Sequence, residues 1–376
     1  MKYYIIAGEA SGDLHGSNLM KALKVEDPTA EFRFWGGDLM LQESENIKKH
    51  YKEMAFMGFV EVVVNLRKIL KNLSDCKSDL IKHRPDALIL VDFPGFNLKI
   101  AEFAKHNGIK VHYYISPKVW AWNQKRVLKI KKVVDHMFCI LPFEVDFYNK
   151  WGMQVEYVGN PLLDAISGYS FNPGFIAENK LELQSIVALL PGSRKQEIER
   201  LLPEMVKMQE HFPDKQFVIA GAPTFAADYY EQYKAGKNIP VVFGQTYDLL
   251  NNAEAAIVAS GTATLETALL NVPQIVVYKG NSLSIAIAKA LVKIKFISLV
   301  NLIANKLVVK ELIQEDCNEK NLQVELNNIL NDKQYRAKML YNYDELDRIM
   351  GNPGASERTA KLIIKYINSE NKSVSV

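Results

Sequence analysis

Short apolar runs recur from one end of this chain to the other, each ended by a turn-forming residue and followed by helical spacing. Parallel strands with crossover helices accommodate that alternation, because a parallel pair cannot be closed by a tight turn. In the first half the runs fall at 3–7, 31–35, 87–91, 110–115, 136–140 and 154–158, with helical spacing at 15–24, 61–82, 98–106, 124–132 and 144–151. Residues 159–174 break the rhythm with Gly159, Pro161, Gly168, Pro173 and Gly174, as a boundary would. The rhythm restarts with runs at 186–190, 216–220, 239–243, 255–259 and 274–278, and helical spacing at 195–211, 224–235, 262–270 and 282–293. From 318 onward helices dominate, at 319–330, 332–350 and 355–368. The expected fold is α/β, with two Rossmann-like doubly wound domains. The first covers 1–165 and the second 180–330, and the helices of 331–376 pack back on the first.

Open α/β sheets bind ligands at the carboxyl ends of their strands, and two turns stand out there. Pro191-Gly192-Ser193-Arg194 follows the run at 186–190, and Ser260-Gly261-Thr262-Ala263-Thr264-Leu265-Glu266 follows 255–259. A strand, a small-residue turn and a helix start aim free N–H groups and the helix dipole at one spot. With the planar fork of Arg194, the residues Gly192, Ser193, Ser260, Gly261 and Thr262 read as a cradle for a diphosphate. Glu266 then reaches ribose hydroxyls, or else caps its helix. This is the chemistry of a nucleotide-sugar site.

The first half carries different residues at its strand ends. Gly8-Glu9-Ala10-Ser11-Gly12-Asp13 lacks the G-x-G-x-x-G spacing of a dinucleotide site. Glu9 and Asp13 would repel a pyrophosphate, so sugar hydroxyls suit this loop better; the alternative is a tight turn in which Asp13 caps the next helix. Asp92 ends the run Ala87-Leu88-Ile89-Leu90-Val91. A carboxylate partly desolvated there becomes a better base, unless it only bonds its own loop. Ser116-Pro117-Lys118-Val119-Trp120-Ala121-Trp122 offers aromatic faces to sugars or acyl chains, or wedges between helix and sheet. The segment 57–71 is more apolar than a surface helix needs and has its cations at one end, a lipid-docking pattern; burial under a neighbouring helix is the other reading. Glu144-x-Asp146 reads as a solvated helix face.

Composition narrows the classes. With 376 residues, 48% hydrophobic and 24% charged, the chain has enough apolar material for full cores. A net charge of +3 is too small to argue for nucleic acid, although Lys125, Arg126, Lys129, Lys131 and Lys132 clump together, as do Arg67, Lys68 and Lys71. Such clumps suit acidic lipid heads or phosphorylated ligands. Cys76, Cys139 and Cys317 are far apart, which suits a reducing cytosol. No H-E-x-x-H or G-x-S-x-G occurs, so neither a metal site nor a serine hydrolase is expected. No uncharged run approaches the ~20 residues of a membrane span.

Taken in order, these motifs resemble lipid-A-disaccharide synthases, a family of bacterial glycosyltransferases with the two-domain GT-B fold. The resemblance runs nearly full length. It rests on residues 8–13, Met57-Gly58-Phe59-Val60-Glu61-Val62, Asp92-Phe93-Pro94-Gly95-Phe96-Asn97, His112 to Trp122, and Leu141-Pro142-Phe143-Glu144. The second half adds Leu190 to Arg194, Ala259-Ser260-Gly261-Thr262, Asn301-Leu302-Ile303-Ala304 and Val309-Lys310-Glu311-Leu312.

The resemblance implies an inverting transfer. UDP-2,3-diacylglucosamine would donate its sugar to 2,3-diacylglucosamine 1-phosphate (lipid X), giving a β-1,6-linked disaccharide and UDP. Asp92 would be the base on the acceptor hydroxyl; Arg194, Glu266 and Asn301 would handle the donor or catalysis, and Glu9 would be needed for activity. UDP would serve only as leaving group, with no metal or other cofactor. The resemblance further implies a cytoplasmic protein, peripheral on the inner-membrane surface, and a homodimer with exchanged C-terminal domains. Two departures stand out: Gly95 occupies a position that is often acidic in the family, and Tyr278-Lys279-Gly280 matches no known pattern. The competing readings are an enzyme epimerising a UDP-amino sugar and a nucleotide- or lipid-binding protein without turnover. The apolar 57–70 segment opposes the first and Asp92 the second.

Overall fold

The computed structural model describes residues 1–54, 65–182, 184–280 and 295–374. The expected helix at 282–293, the start of the helix at 61–82 and the apolar motif at 57–62 lie outside those residues. The chain forms two compact units, one of 1–164 with 352–376 and one of 165–351.

The first unit holds a seven-stranded sheet of β1 (Lys2–Ala7), β2 (Glu31–Gly36), β3 (Ile47–His50), β4 (Ala87–Val91), β5 (Val111–Tyr114), β6 (His136–Cys139) and β7 (Glu156–Tyr157), in the order β3-β2-β1-β4-β5-β6-β7. Every pairing is parallel. Side chains alternate across a strand, so β1 sends Tyr3, Ile5 and Ala7 to one face and Tyr4 and Ile6 to the other. The first face is covered by the helix Ala10–Glu26 and by the final helix Ala355–Val374, through Leu19, Leu23, Ala360 and Ile363. The helices Leu66–His83, Pro94–His106 and Val127–Val133 cover the second.

The final helix is fastened at its start. Asp164 accepts the Gly354 and Ala355 N–H groups, and Arg358 donates to the carbonyls of Val158, Asn352 and Pro353, each at 2.7 Å. The expected cut at 331 therefore moves to 352. The helix Lys333–Met350 stays with the second unit, packing on the helices Glu319–Asn331 and Leu299–Ala304.

The second unit holds a six-stranded sheet of β8 (Ile186–Leu190), β9 (Gln216–Gly221), β10 (Val241–Phe243), β11 (Ala253–Ala259), β12 (Gln274–Tyr278) and β13 (Lys310–Ile313), in the order β10-β9-β8-β11-β12-β13 and again all parallel. Ala188, Leu190, Val218, Ala256 and Val258 form one buried layer with Leu249 and Leu250. β3 and β13 are edge strands that the apolar runs did not reveal, and the single helix expected at 195–211 is two, Lys195–Met205 and Met208–His211.

Candidate active site

Within the first unit the carboxyl edge of the sheet centres on Asp92. Both Asp92 (φ +43°) and Phe93 (φ +48°) lie in the left-handed region, which costs a non-glycine residue of order 1–3 kcal/mol. The surroundings hold them there. The Asp92 carbonyl accepts from the Tyr113 hydroxyl at 2.5 Å and from Asn97 Nδ2 at 2.8 Å, and its N–H donates to the Tyr114 carbonyl. The Phe93 ring fills the space beside Gly8, where an added Cβ would sit 2.2 Å from it. The turns after β1 and β4 are thereby locked together.

Asp92 is tied into its loop through its backbone, and the Phe93 N–H also acts on its carboxylate, a smaller pull that holds the pKa down. Burial pushes its pKa up to about 6, opposed by the Lys118 charge and assisted by that of Glu9. Glu9 is half-buried at the start of the helix Ala10–Glu26 and makes no side-chain capping bond there. Asp13 is structural. It is buried and accepts the N–H groups of Gly37, Leu39 and Met40, capping the short helix Asp38–Leu41 rather than its own.

The two tryptophans of the 116–122 loop separate. Trp120 is buried and packs edge-on against Phe143, whereas Trp122 is 55% exposed under the Arg126 guanidinium. Glu144 contradicts the solvated-face reading, being only 1% exposed with its carboxyl turned inward. The spacing of two acids on a short helix gave no sign of which one points in.

In the second unit the two turns differ from each other. Gly192 has φ +100°, and the space beside it is filled by Glu197, whose Oε2 lies 2.4 Å from an added Cβ. That carboxylate accepts the N–H groups of Ser193 and Arg194, both at 3.2 Å. The backbone donors expected to face phosphate here are thus taken by the chain's own acid. What remains is the Arg194 guanidinium, 76% exposed and 3.5 Å from Glu197.

The turn after β11 is open. Gly261 caps the helix Thr262–Leu269 with no side-chain bond; the Thr264 N–H turns back to the Gly261 carbonyl at 3.3 Å, while the Thr262 and Ala263 N–H groups lie ahead of the first intrahelical bond. The Ser260 hydroxyl donates to the Ile297 carbonyl at 3.2 Å. Glu266 is half-buried, accepts the Tyr247 hydroxyl at 2.7 Å, and is raised in pKa by burial.

Asn301 lies deeper than a donor-binding residue should. It is fully buried; its Oδ1 accepts the Val308 and Val309 N–H groups, and its Nδ2 donates to the Val309 carbonyl and to Glu311. Glu311 also accepts the N–H groups of Ile297 and Ser298. Asn301 therefore shapes the segment that receives the Ser260 hydroxyl and has no free polar group of its own. Tyr247 carried no signal of its own in the sequence, and Glu311 entered only as part of the Val309-Lys310-Glu311-Leu312 motif, because neither contact is visible from spacing along the chain.

Two units, each with an all-parallel sheet and polar turns at its strand ends, define a double Rossmann-like fold. Solved structures share it: a UDP-N-acetylglucosamine 2-epimerase from Listeria monocytogenes (TM-score 0.64, 14% identity, covering 99% of this chain and 97% of that one), and the glycotransferase of kitacinnamycin (TM-score 0.64, 12% identity, 97% and 98%). A family described as Lipid-A-disaccharide synthetase matches residues 3–362. The lipid-A-disaccharide synthases of Trichlorobacter lovleyi and Syntrophus aciditrophicus are 37% and 40% identical to this chain, each covering 96% of it and 97% of their own length. The chain belongs to this family, glycosyltransferases of lipid A biosynthesis.

Proposed function

We propose that the chain transfers the acylated glucosaminyl group of UDP-2,3-diacylglucosamine to the 6-hydroxyl of 2,3-diacylglucosamine 1-phosphate. The observation that carries the mechanism is the strained, half-buried Asp92 with its pKa pushed to about 6. Asp92 takes the hydroxyl proton as that oxygen forms its bond to the anomeric carbon. The bond from that carbon to the UDP phosphate breaks, its electron pair leaves with UDP, and the α-linkage inverts to β.

Arg194 and the open helix start at Thr262 stabilise the charge growing on UDP, a task these groups perform without a metal. Glu266 holds the ribose, and Tyr247 aims it. Glu9 adds negative charge beside Asp92, and Asn301 acts through the segment it shapes. The competing epimerase reading uses unacylated sugar; the family assignment does not favour it.

The partners follow from the acyl chains. The helix Leu66–His83 leaves Leu66 and Leu70 more than half exposed beside Arg67, Lys68 and Lys71, a pattern suited to an acidic lipid surface. Among the described residues no helix is long and apolar enough to cross a membrane; the contact proposed here is peripheral, on the cytoplasmic face of the inner membrane. A homodimer with exchanged C-terminal elements would hinge at 351–354, where Gly351 and Gly354 both have positive φ.

The test mixes the protein with acylated and plain UDP-glucosamine derivatives plus acceptor. UDP release with the acylated pair alone supports the reading. Equal release with the plain sugar, or release without acceptor, rejects it.

A further inference from the structure

Glu144 is the most buried acid at the strand ends of the first unit, and the transfer chemistry above makes no use of it. It opens the helix Phe143–Asn149 just after β6. Its carboxyl accepts the Trp120 indole N–H at 3.2 Å and the Leu141 N–H at 3.1 Å, and the Ser116 hydroxyl, which also touches the Pro117 carbonyl at 3.3 Å, lowers its pKa from nearby. Ser116 in turn meets the Tyr148 hydroxyl at 2.8 Å. Ser116 and Trp120 bracket the exposed Lys118, the cation whose charge opposes the upward push on Asp92. The backbone entering this loop is itself strained. Ile115 has φ +66°, a genuine outlier for a β-branched residue.

We propose that Glu144 is a positioning residue for transfer: by holding Trp120 it fixes the loop that sets Lys118 against Asp92. The inference rests on the reading of Asp92 as the base. The groups facing Glu144 are Ser116 and Trp120 from the loop, Cys139 from β6, Tyr148 from its own helix and Tyr157 from β7. None of these is a cation, and burial pushes the Glu144 pKa up to about 7. Its hold on the indole and the backbone N–H is charge-assisted only when it is ionised. The loop is therefore held more firmly as pH rises through that range.

The experiment compares wild type, Glu144→Gln and Trp120→Phe. It measures kcat/KM for the acceptor across pH, UDP affinity by calorimetry, and thermal unfolding. Glu144→Gln keeps the size and one acceptor oxygen but loses the charge. It is expected to lower acceptor kcat/KM on the order of 10- to 100-fold, with UDP affinity unchanged. The acid limb of the wild-type profile approaches a slope of about 2, and that of the variant about 1, because one of two ionisations is gone. Trp120→Phe reproduces part of the loss, and the double variant loses less than the product of the two.

A folded Glu144→Gln protein with wild-type kcat/KM and acid limb overturns the inference while leaving Asp92 untouched. Parallel loss of UDP affinity overturns it as well, because the effect is then global. If Glu144→Gln does not fold, Trp120→Phe decides, and unchanged acceptor kcat/KM in that variant rejects the proposal. Failure of the wild type to transfer at all sinks the reading of Asp92 first, and this inference with it.

Discussion

The two units build their strand ends from opposite materials. In the first, the turn after β4 is strained, closed and acidic: Asp92 and Phe93 sit at positive φ, pinned by Asn97, Tyr113 and the ring over Gly8. In the second, the turn after β11 is relaxed and open, with an exposed Gly261 and an uncapped helix start. A base must be desolvated and held still, and a firmly packed turn achieves both. A leaving group carrying charge needs donors that are free until it arrives. On the proposed function, one architecture would meet both needs by changing only how much of each turn is occupied by the chain itself.

The largest effect should come from Asp92→Asn. Transfer is expected to fall by about 10²- to 10⁴-fold, with UDP affinity by calorimetry unchanged. The pH dependence has a definite sign. Wild-type kcat/KM rises as pH passes upward through about 6, because the base works ionised. Stability runs the other way: a carboxyl raised above its unfolded value favours the protonated native state, and that contribution is lost as pH rises through the folded pKa. Asp92→Asn should therefore unfold at a higher temperature than wild type at neutral pH. A variant that is both inactive and less stable would break the contrast drawn here.

Asn97→Ala attacks the pin rather than the base. It removes the buried donor to the Asp92 carbonyl, so the rate should drop on the order of 10²-fold through misplacement of the base. Native stability should fall by about 1–3 kcal/mol, read from urea titration. A stable variant with full activity would show that the strain needs no clamp. Arg194→Ala tests the second unit. Loss of a charged donor to phosphate costs about 1.5–3 kcal/mol, hence roughly 10- to 100-fold in UDP affinity. Unchanged affinity would assign phosphate binding to the turn after β11 alone. Tyr247→Phe should be mildest, a loss of about 2- to 10-fold in UDP affinity, since one neutral hydrogen bond contributes about 0.5–1.5 kcal/mol; an equal loss for UDP and inorganic pyrophosphate would argue against its aiming Glu266 at ribose.

Legibility in the sequence followed burial. The runs that became β4, β8 and β12 were read to the residue because both faces of a central parallel strand are apolar. β3 (Ile47–His50) and β13 (Lys310–Ile313) escaped because edge strands carry lysines and half of their surface faces solvent. The placement of Asp92 and Arg194 at strand ends was legible because each directly follows an apolar run or its turn. The site was not legible where function passes through a partner. Nothing in P-G-S-R shows that Glu197 three positions on fills the turn, or that Glu144 rather than Asp146 points inward. Such pairings are decided by side-chain direction in three dimensions, which spacing along a chain does not encode.

Glu197 has one more consequence. The loop after β8 carries its own counter-charge, so it does not have to collapse or gather solvent when the pocket empties. If UDP binds at this turn as proposed, the enzyme keeps this corner in one shape through every cycle. The amides of Ser193 and Arg194 should exchange with deuterium at the same slow rate whether or not UDP is present.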